Sequence, residues 1–127
     1  KRSGLQPMFS VTVSSTFNAQ HSVTVKNVDE TPHNHEWGVA VVLEGSSLDE
    51  DGLLIDFIEV ERVLEQIITP LSNSNLNEID ILGGANPSAE QVAFYVGKEM
   101  NKHIHNPIRI HSVTITEAPN CQATYIP

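Results

Sequence analysis

The sequence predicts an α+β domain: a four-stranded antiparallel sheet with two helices on one face. Three observations carry this. Stretches of β-branched and aromatic residues stand in pairs near both ends, two segments of helical apolar spacing lie between them, and a capping residue opens each of those segments. The order strand, strand, helix, helix, strand, strand makes antiparallel pairing the economical topology. The 127 residues suffice for one domain with a modest core.

Lys1 to Pro7 lacks apolar periodicity and holds two of the seven Lys and Arg residues. It is expected to be an appended leader, with residues 8–127 forming the single domain. Phe9 to Ala19, rich in Val, Thr, Ser and Phe, reads as the first strand; Ser22 to Lys26 extends it or begins its return. Asn27 to Pro32 is a polar turn. Glu36 to Glu44 is the second strand, and its nearly continuous apolar centre is what a strand covered on both faces requires.

Gly45 to Gly52 is an acidic loop, after which the period changes. Phe57, Val60, Val63, Leu64, Ile67 and Ile68 define the apolar face of a helix that Asp56 caps, with Glu59 as reciprocal partner and Pro70 as stop. Leu71 to Pro87 is loop-like and long for so small a domain, which marks it as a candidate functional loop. Ser88 opens the second helix with Gln91 completing a capping box, and Val92, Tyr95, Val96 and Met100 face inward. Two further strands, Ile108 to Glu117 and Gln122 to Ile126, flank an Ala-Pro-Asn turn. Apolar positions change parity between Ile110 and Val113, which predicts a bulge near His111.

The formal net charge of −9 excludes a nucleic-acid-binding surface, since phosphate contacts need clustered Lys and Arg. The same charge repels an anionic small substrate unless a metal supplies a local positive site. A single cysteine, Cys121, rules out an intrachain disulfide and fits a reducing compartment. With no signal peptide and no run of 18 apolar residues, a soluble cytoplasmic protein without membrane partners is expected.

Three histidines are the strongest chemical signal. A His-x-His step in extended chain, His33 and His35, puts both imidazoles on one face about 7 Å apart. With His21 from a neighbouring strand they can form a three-nitrogen cup, the arrangement of a catalytic zinc that keeps one coordination position open. The competing reading is three surface or hydrogen-bonded histidines. His103 and His105 repeat the spacing beyond the second helix, where a helix end favours cationic side chains. Glu30, three residues before His33, is either a general base or a solvated turn residue. Glu117, at a strand end, is either a bare charge or a carboxylate able to accept two parallel hydrogen bonds from an amino-imino heterocycle.

The chain resembles the 6-pyruvoyl tetrahydropterin synthase and 6-carboxytetrahydropterin synthase family over nearly all of Met8 to Pro127. The resemblance rests on Phe17-Asn-Ala-Gln-His21, His33-Asn-His35, Gly52-Leu-Leu-Ile-Asp56-Phe57, Asn75-Leu-Asn77, Asn86-Pro-Ser-Ala-Glu90 and Thr116-Glu117, in order. It implies the tunnelling fold, in which three sheets join edge to edge into a barrel, as a trimer or a stacked hexamer. It implies zinc on His21, His33 and His35, a pterin ring anchored by Glu117, and 7,8-dihydroneopterin triphosphate as substrate.

The family's proton-handling cysteine has no counterpart in Asn27 to Pro32, and its Asp-His relay reads Ser72-Asn73. A branch of the family places a glutamate three residues before the His-x-His pair and cleaves the side chain to 6-hydroxymethyl-7,8-dihydropterin. Glu30 matches that spacing, which implies a lyase with Glu30 as catalytic base. The alternative is a non-catalytic or altered-substrate pterin- or purine-binding homologue that kept zinc and lost the relay.

Overall fold

The computed structural model describes residues 8–84 and 86–127; the expected leader, Lys1 to Pro7, lies outside the described residues. The elements run β1 (Phe9–His21), β2 (Thr24–Val25), β3 (Val28–Asp29), β4 (His33–Gly45), α1 (Phe57–Ile68), β5 (Ser74–Asn75), α2 (Ala89–Asn101), β6 (Arg109–Ala118) and β7 (Cys121–Tyr125). The main sheet has the order β5-β1-β4-β6-β7. Its four long strands are antiparallel, as expected, and the two-residue β5 adds a parallel edge beside Ala19 and Gln20.

β1 and β4 pair over their whole length, from Phe9 opposite Gly45 to His21 opposite His33. Both reach two or three residues beyond their sequence-predicted ends, so all three histidines lie in strand. The chain between them folds back as the small β2–β3 hairpin. Lys26 and Asn27 both take positive φ, the backbone of a two-residue hairpin turn whose twist suits the flanking strands.

Alternation decides which face is buried. Val13, Phe17, Ala19 and His21 of β1 and Trp37, Val39, Val41 and Leu43 of β4 point into the core beneath the helices, where α1 packs on β1 and α2 on β6 and β7. The expectation that β4 is covered on both faces fails for this chain. Gly38, Ala40 and Val42 are only half-buried, because both helices lie on the other side. The predicted bulge is present: Val42 faces Ser112 and Leu43 faces Ile110, which leaves His111 over.

Asp56 caps α1 by accepting the Ile58 N–H at 2.9 Å, but Glu59 pairs with Arg62 rather than reaching back. Ser88 caps α2 through the Gln91 N–H at 3.2 Å, while its own N–H goes to the Asn86 carbonyl. Each expected box is therefore half formed. Phe57, assigned to the apolar face, is 47% exposed, and burial begins at Val60. Gly97 is where α2 meets β7; a Cβ there would stand 2.7 Å from the Tyr125 ring. We expect Gly97→Ala to destabilise the fold by about 1–3 kcal/mol, despite the better helix propensity of Ala, read as a lowered unfolding midpoint in urea.

Candidate metal centre

The apolar stripe on the helix-covered face ends in imidazole. On β1 it runs Phe17, Ala19, His21, and on β4 it runs Trp37, His35, His33, so period-2 alternation and direct pairing of His21 with His33 bring three rings together. The ring centroids lie 4.6 Å (His21–His33), 4.4 Å (His33–His35) and 5.7 Å (His21–His35) apart. Trp37 closes the inner side, edge-on to His21, with its Nε1–H donated to the Ala19 carbonyl.

A second bulge delivers the carboxylate. Thr116 faces Gln122 and Ala118 faces Cys121, so Glu117 has no partner in β7 and its side chain turns toward the histidines. Its Oε2 stands 3.4 Å from Nε2 of His21, 3.8 Å from that of His33 and 3.6 Å from that of His35. One ligand atom from each of the four residues lies within 4.8 Å of the others. Tetrahedral zinc with bonds of about 2.0–2.1 Å separates its ligand atoms by about 3.4 Å. The ligand atoms, all within 4.8 Å of one another, lie near that scale.

The hydrogen bonds fix the tautomers that metal binding needs. The Nδ1 of His21 is 2.7 Å from the Pro87 carbonyl and that of His33 is 3.1 Å from the Thr31 carbonyl. A carbonyl only accepts, so each Nδ1 carries the hydrogen and each Nε2 presents a lone pair to the cup. In His21, which is 1% exposed, that Nε2 is buried without a hydrogen-bond partner. A buried, unsatisfied lone pair is costly, and a cation resolves it. The three imidazoles therefore fit a metal, and such a nitrogen donor set suits zinc and also nickel, copper or iron.

Burial, and then the neighbouring His33, lower the pKa of His35 below 6.5, which favours the neutral, metal-ready form. In the metal-free protein His35 is expected to titrate below 6.5 by NMR of its ring nitrogens. The unfolded chain then binds the proton more readily, so stability falls as pH drops from 6.5 through the folded-state value.

Glu30 lies on the exposed side of the cup. Its Oε1 is 3.9 Å from Nε2 of His33 and accepts the Val23 N–H at 2.9 Å. The structure thus gathers His21, His33, His35, Glu30 and Glu117 at one place, beside a cleft of about 360 Å³ lined by His35, Gly38, Thr116, Glu117 and Pro119. His103 and His105 are exposed and take no part in the cluster. Ser72 and Asn73 are turn residues: the Ser72 hydroxyl donates to the Ile68 carbonyl, and Asn73, at positive φ, donates its N–H to the Asn18 carbonyl. Cys121 is exposed.

The loop from Leu71 to Pro87, marked by its length as a candidate functional loop, contributes to the site through contacts that the sequence did not name. Pro87 supplies the carbonyl that orients His21. The Asn77 and Asn86 side chains grip the backbone of Ser22 and Thr24. Asn75-Leu-Asn77 and Asn86-Pro-Ser were visible as motifs, but nothing in their spacing names partners 55 and 62 residues away.

No helix among the described residues is long and apolar enough to cross a membrane. A protein from Pyrococcus furiosus named dihydroneopterin monophosphate aldolase is 25% identical over 103 residues, covering 81% of this chain and 84% of that protein. Among solved structures, 6-pyruvoyl tetrahydropterin synthase from Caenorhabditis elegans superposes with a TM-score of 0.83 at 20% identity, over 96% of this chain and 97% of that one. The Plasmodium vivax 6-pyruvoyltetrahydropterin synthase, bearing alanine for a glutamate described as a catalytic residue, superposes with a TM-score of 0.75 at 18% identity, over 94% and 97%. The family described as 6-pyruvoyl tetrahydropterin synthase matches residues 10–127. With its four long antiparallel strands and two helices, the chain belongs to this family of pterin metabolism.

Proposed function

We propose that the protein is a zinc-dependent lyase that cleaves the side chain of a 7,8-dihydroneopterin phosphate, the triphosphate or the monophosphate, to 6-hydroxymethyl-7,8-dihydropterin. The carrying observation is Glu30: a carboxylate held beside a three-histidine cup, in a turn with no cysteine. The Pyrococcus relative named as an aldolase supports this reading, as does the catalytic glutamate of the Plasmodium protein.

Zinc on His21, His33 and His35 would supply a Lewis acid for the side-chain hydroxyls and the local positive charge that an acidic protein needs to hold a phosphate ester. Glu30 takes the proton of the 2′-hydroxyl. The C2′–O bond becomes a carbonyl, the C1′–C2′ bond breaks, and its electron pair passes into the C6=N5 imine of the ring. Glu30 then returns the proton to C1′, so the products sum to the substrate and no co-reactant is required. With zinc held by the three imidazoles, the Glu117 carboxylate is left to anchor the pterin by accepting the two parallel donors of its amino-imino edge.

Support for assembly as a trimer or hexamer comes from the outer edge of β7, which pairs with no further strand among the described residues, and from the half-buried Ala40 and Val42 on the face opposite the helices, which an edge-to-edge barrel would enclose. The lone, exposed Cys121 fits a cytoplasmic setting.

Ser72 and Asn73, tied into a turn and unable to exchange protons near neutral pH, favour a second reading: a non-catalytic pterin- or purine-binding homologue. The test removes zinc with a chelator and restores it while turnover of dihydroneopterin phosphate is followed. Loss and recovery of turnover support the lyase; saturable pterin binding with no turnover at full zinc occupancy selects the binder.

A further inference from the structure

We propose that Asn77 and Asn86 are positioning residues that hold Ser22–Thr24 as a strap, and that through this strap they fix Glu30 and His21 relative to each other. The strap has an unusual set of partners. The Asn77 side-chain amide takes both backbone groups of Ser22: Oδ1 accepts its N–H at 2.8 Å and Nδ2 donates to its carbonyl at 2.8 Å. Asn86 does the same at Thr24, with both bonds at 2.9 Å.

Between them Val23 turns the other way. Its N–H donates to the Glu30 carboxylate at 2.9 Å, and its carbonyl accepts the Glu30 N–H at 3.0 Å. Two carboxamides thus stand in for a neighbouring strand on one side, and Glu30 stands in for one on the other. All six backbone hydrogen-bonding groups of three consecutive residues are satisfied.

Burial does not require this. Ser22 and Val23 are half-buried and Thr24 is exposed, so water can reach the segment. What the strap connects explains the investment. Its first residue follows His21, whose imidazole is oriented by the carbonyl of Pro87, the neighbour of Asn86. Its middle residue holds the Glu30 carboxylate that stands beside His33. Asn77, Asn86 and Pro87 therefore set the buried ligand and the carboxylate together, and a shift of about 1 Å in such a group is enough to cost 100-fold in turnover. The turnover consequence rests on Glu30 acting as the base; the strap itself does not.

Asn77→Asp and Asn86→Asp remove one donor each at nearly constant size. Amide hydrogen exchange by NMR on the zinc-loaded protein reads the strap without turnover. We expect Val23, whose own partner Glu30 is untouched, to lose protection at least about 10-fold in both variants while the amides of β4 keep theirs. Val23 unchanged in both variants overturns the proposal whatever the activity. With dihydroneopterin phosphate, kcat is expected to fall about 10- to 100-fold with KM within about 3-fold and zinc content intact. Lost Val23 protection with unchanged kcat overturns the positioning role and leaves only a structural clamp. No turnover in the unsubstituted protein counts against the lyase, and the Val23 result still decides the strap.

Discussion

Glu30→Gln is expected to lower turnover of dihydroneopterin phosphate about 10²- to 10⁴-fold while zinc remains bound. The range is what a positioned general base contributes. The variant is close to isosteric, and Gln can still accept the Val23 N–H that the carboxylate accepts at 2.9 Å, so the strap stays in place. Only the capacity to take a proton is lost. KM should change little, because the proton transfer is made in the transition state and not in the bound complex. Steady-state kinetics with a parallel zinc assay checks this; unchanged kcat would remove Glu30 from the mechanism.

The second large effect separates metal binding from folding. His21→Ala and His33→Ala each leave two imidazoles, and each is expected to weaken zinc binding at least about 100-fold in chelator competition. Their effects on the metal-free fold differ. His21 is 1% exposed, and its loss opens a cavity against Trp37 and strands the Pro87 carbonyl, a cost of about 2–4 kcal/mol. His33 is 34% exposed and gives up one exposed hydrogen bond, so its loss should cost under about 1 kcal/mol. Chemical denaturation in chelator reads the difference. Added zinc should stabilise the unsubstituted protein and neither variant at concentrations near its affinity.

Period-2 alternation made the His33–His35 face legible, since it continues the stripe of Trp37, Val39 and Val41, and the same parity rule found the bulge at His111. The second bulge was not legible. Thr116-Glu117-Ala118 carries no parity break, and only the pairing with β7 shows Glu117 left over. The β2–β3 hairpin also escaped, because Lys26-Asn27 is a weak turn signal beside Asn-Gly or Asp-Gly. Phe57 matched the helical period but opens α1 ahead of the covered surface, so spacing alone misplaced it. The Asn77 and Asn86 contacts span the chain, and local pattern carries no information about them.

The proposed activity of this cup, with Glu30 beside it, is to break a carbon–carbon bond in a pterin side chain. The direct measurement is mass spectrometry of the products formed when zinc-loaded protein is incubated with dihydroneopterin triphosphate and, separately, with the monophosphate. The expected products are 6-hydroxymethyl-7,8-dihydropterin and the phosphorylated two-carbon aldehyde. A 6-pyruvoyl or 6-carboxy pterin, or unchanged substrate from both incubations, would contradict that activity.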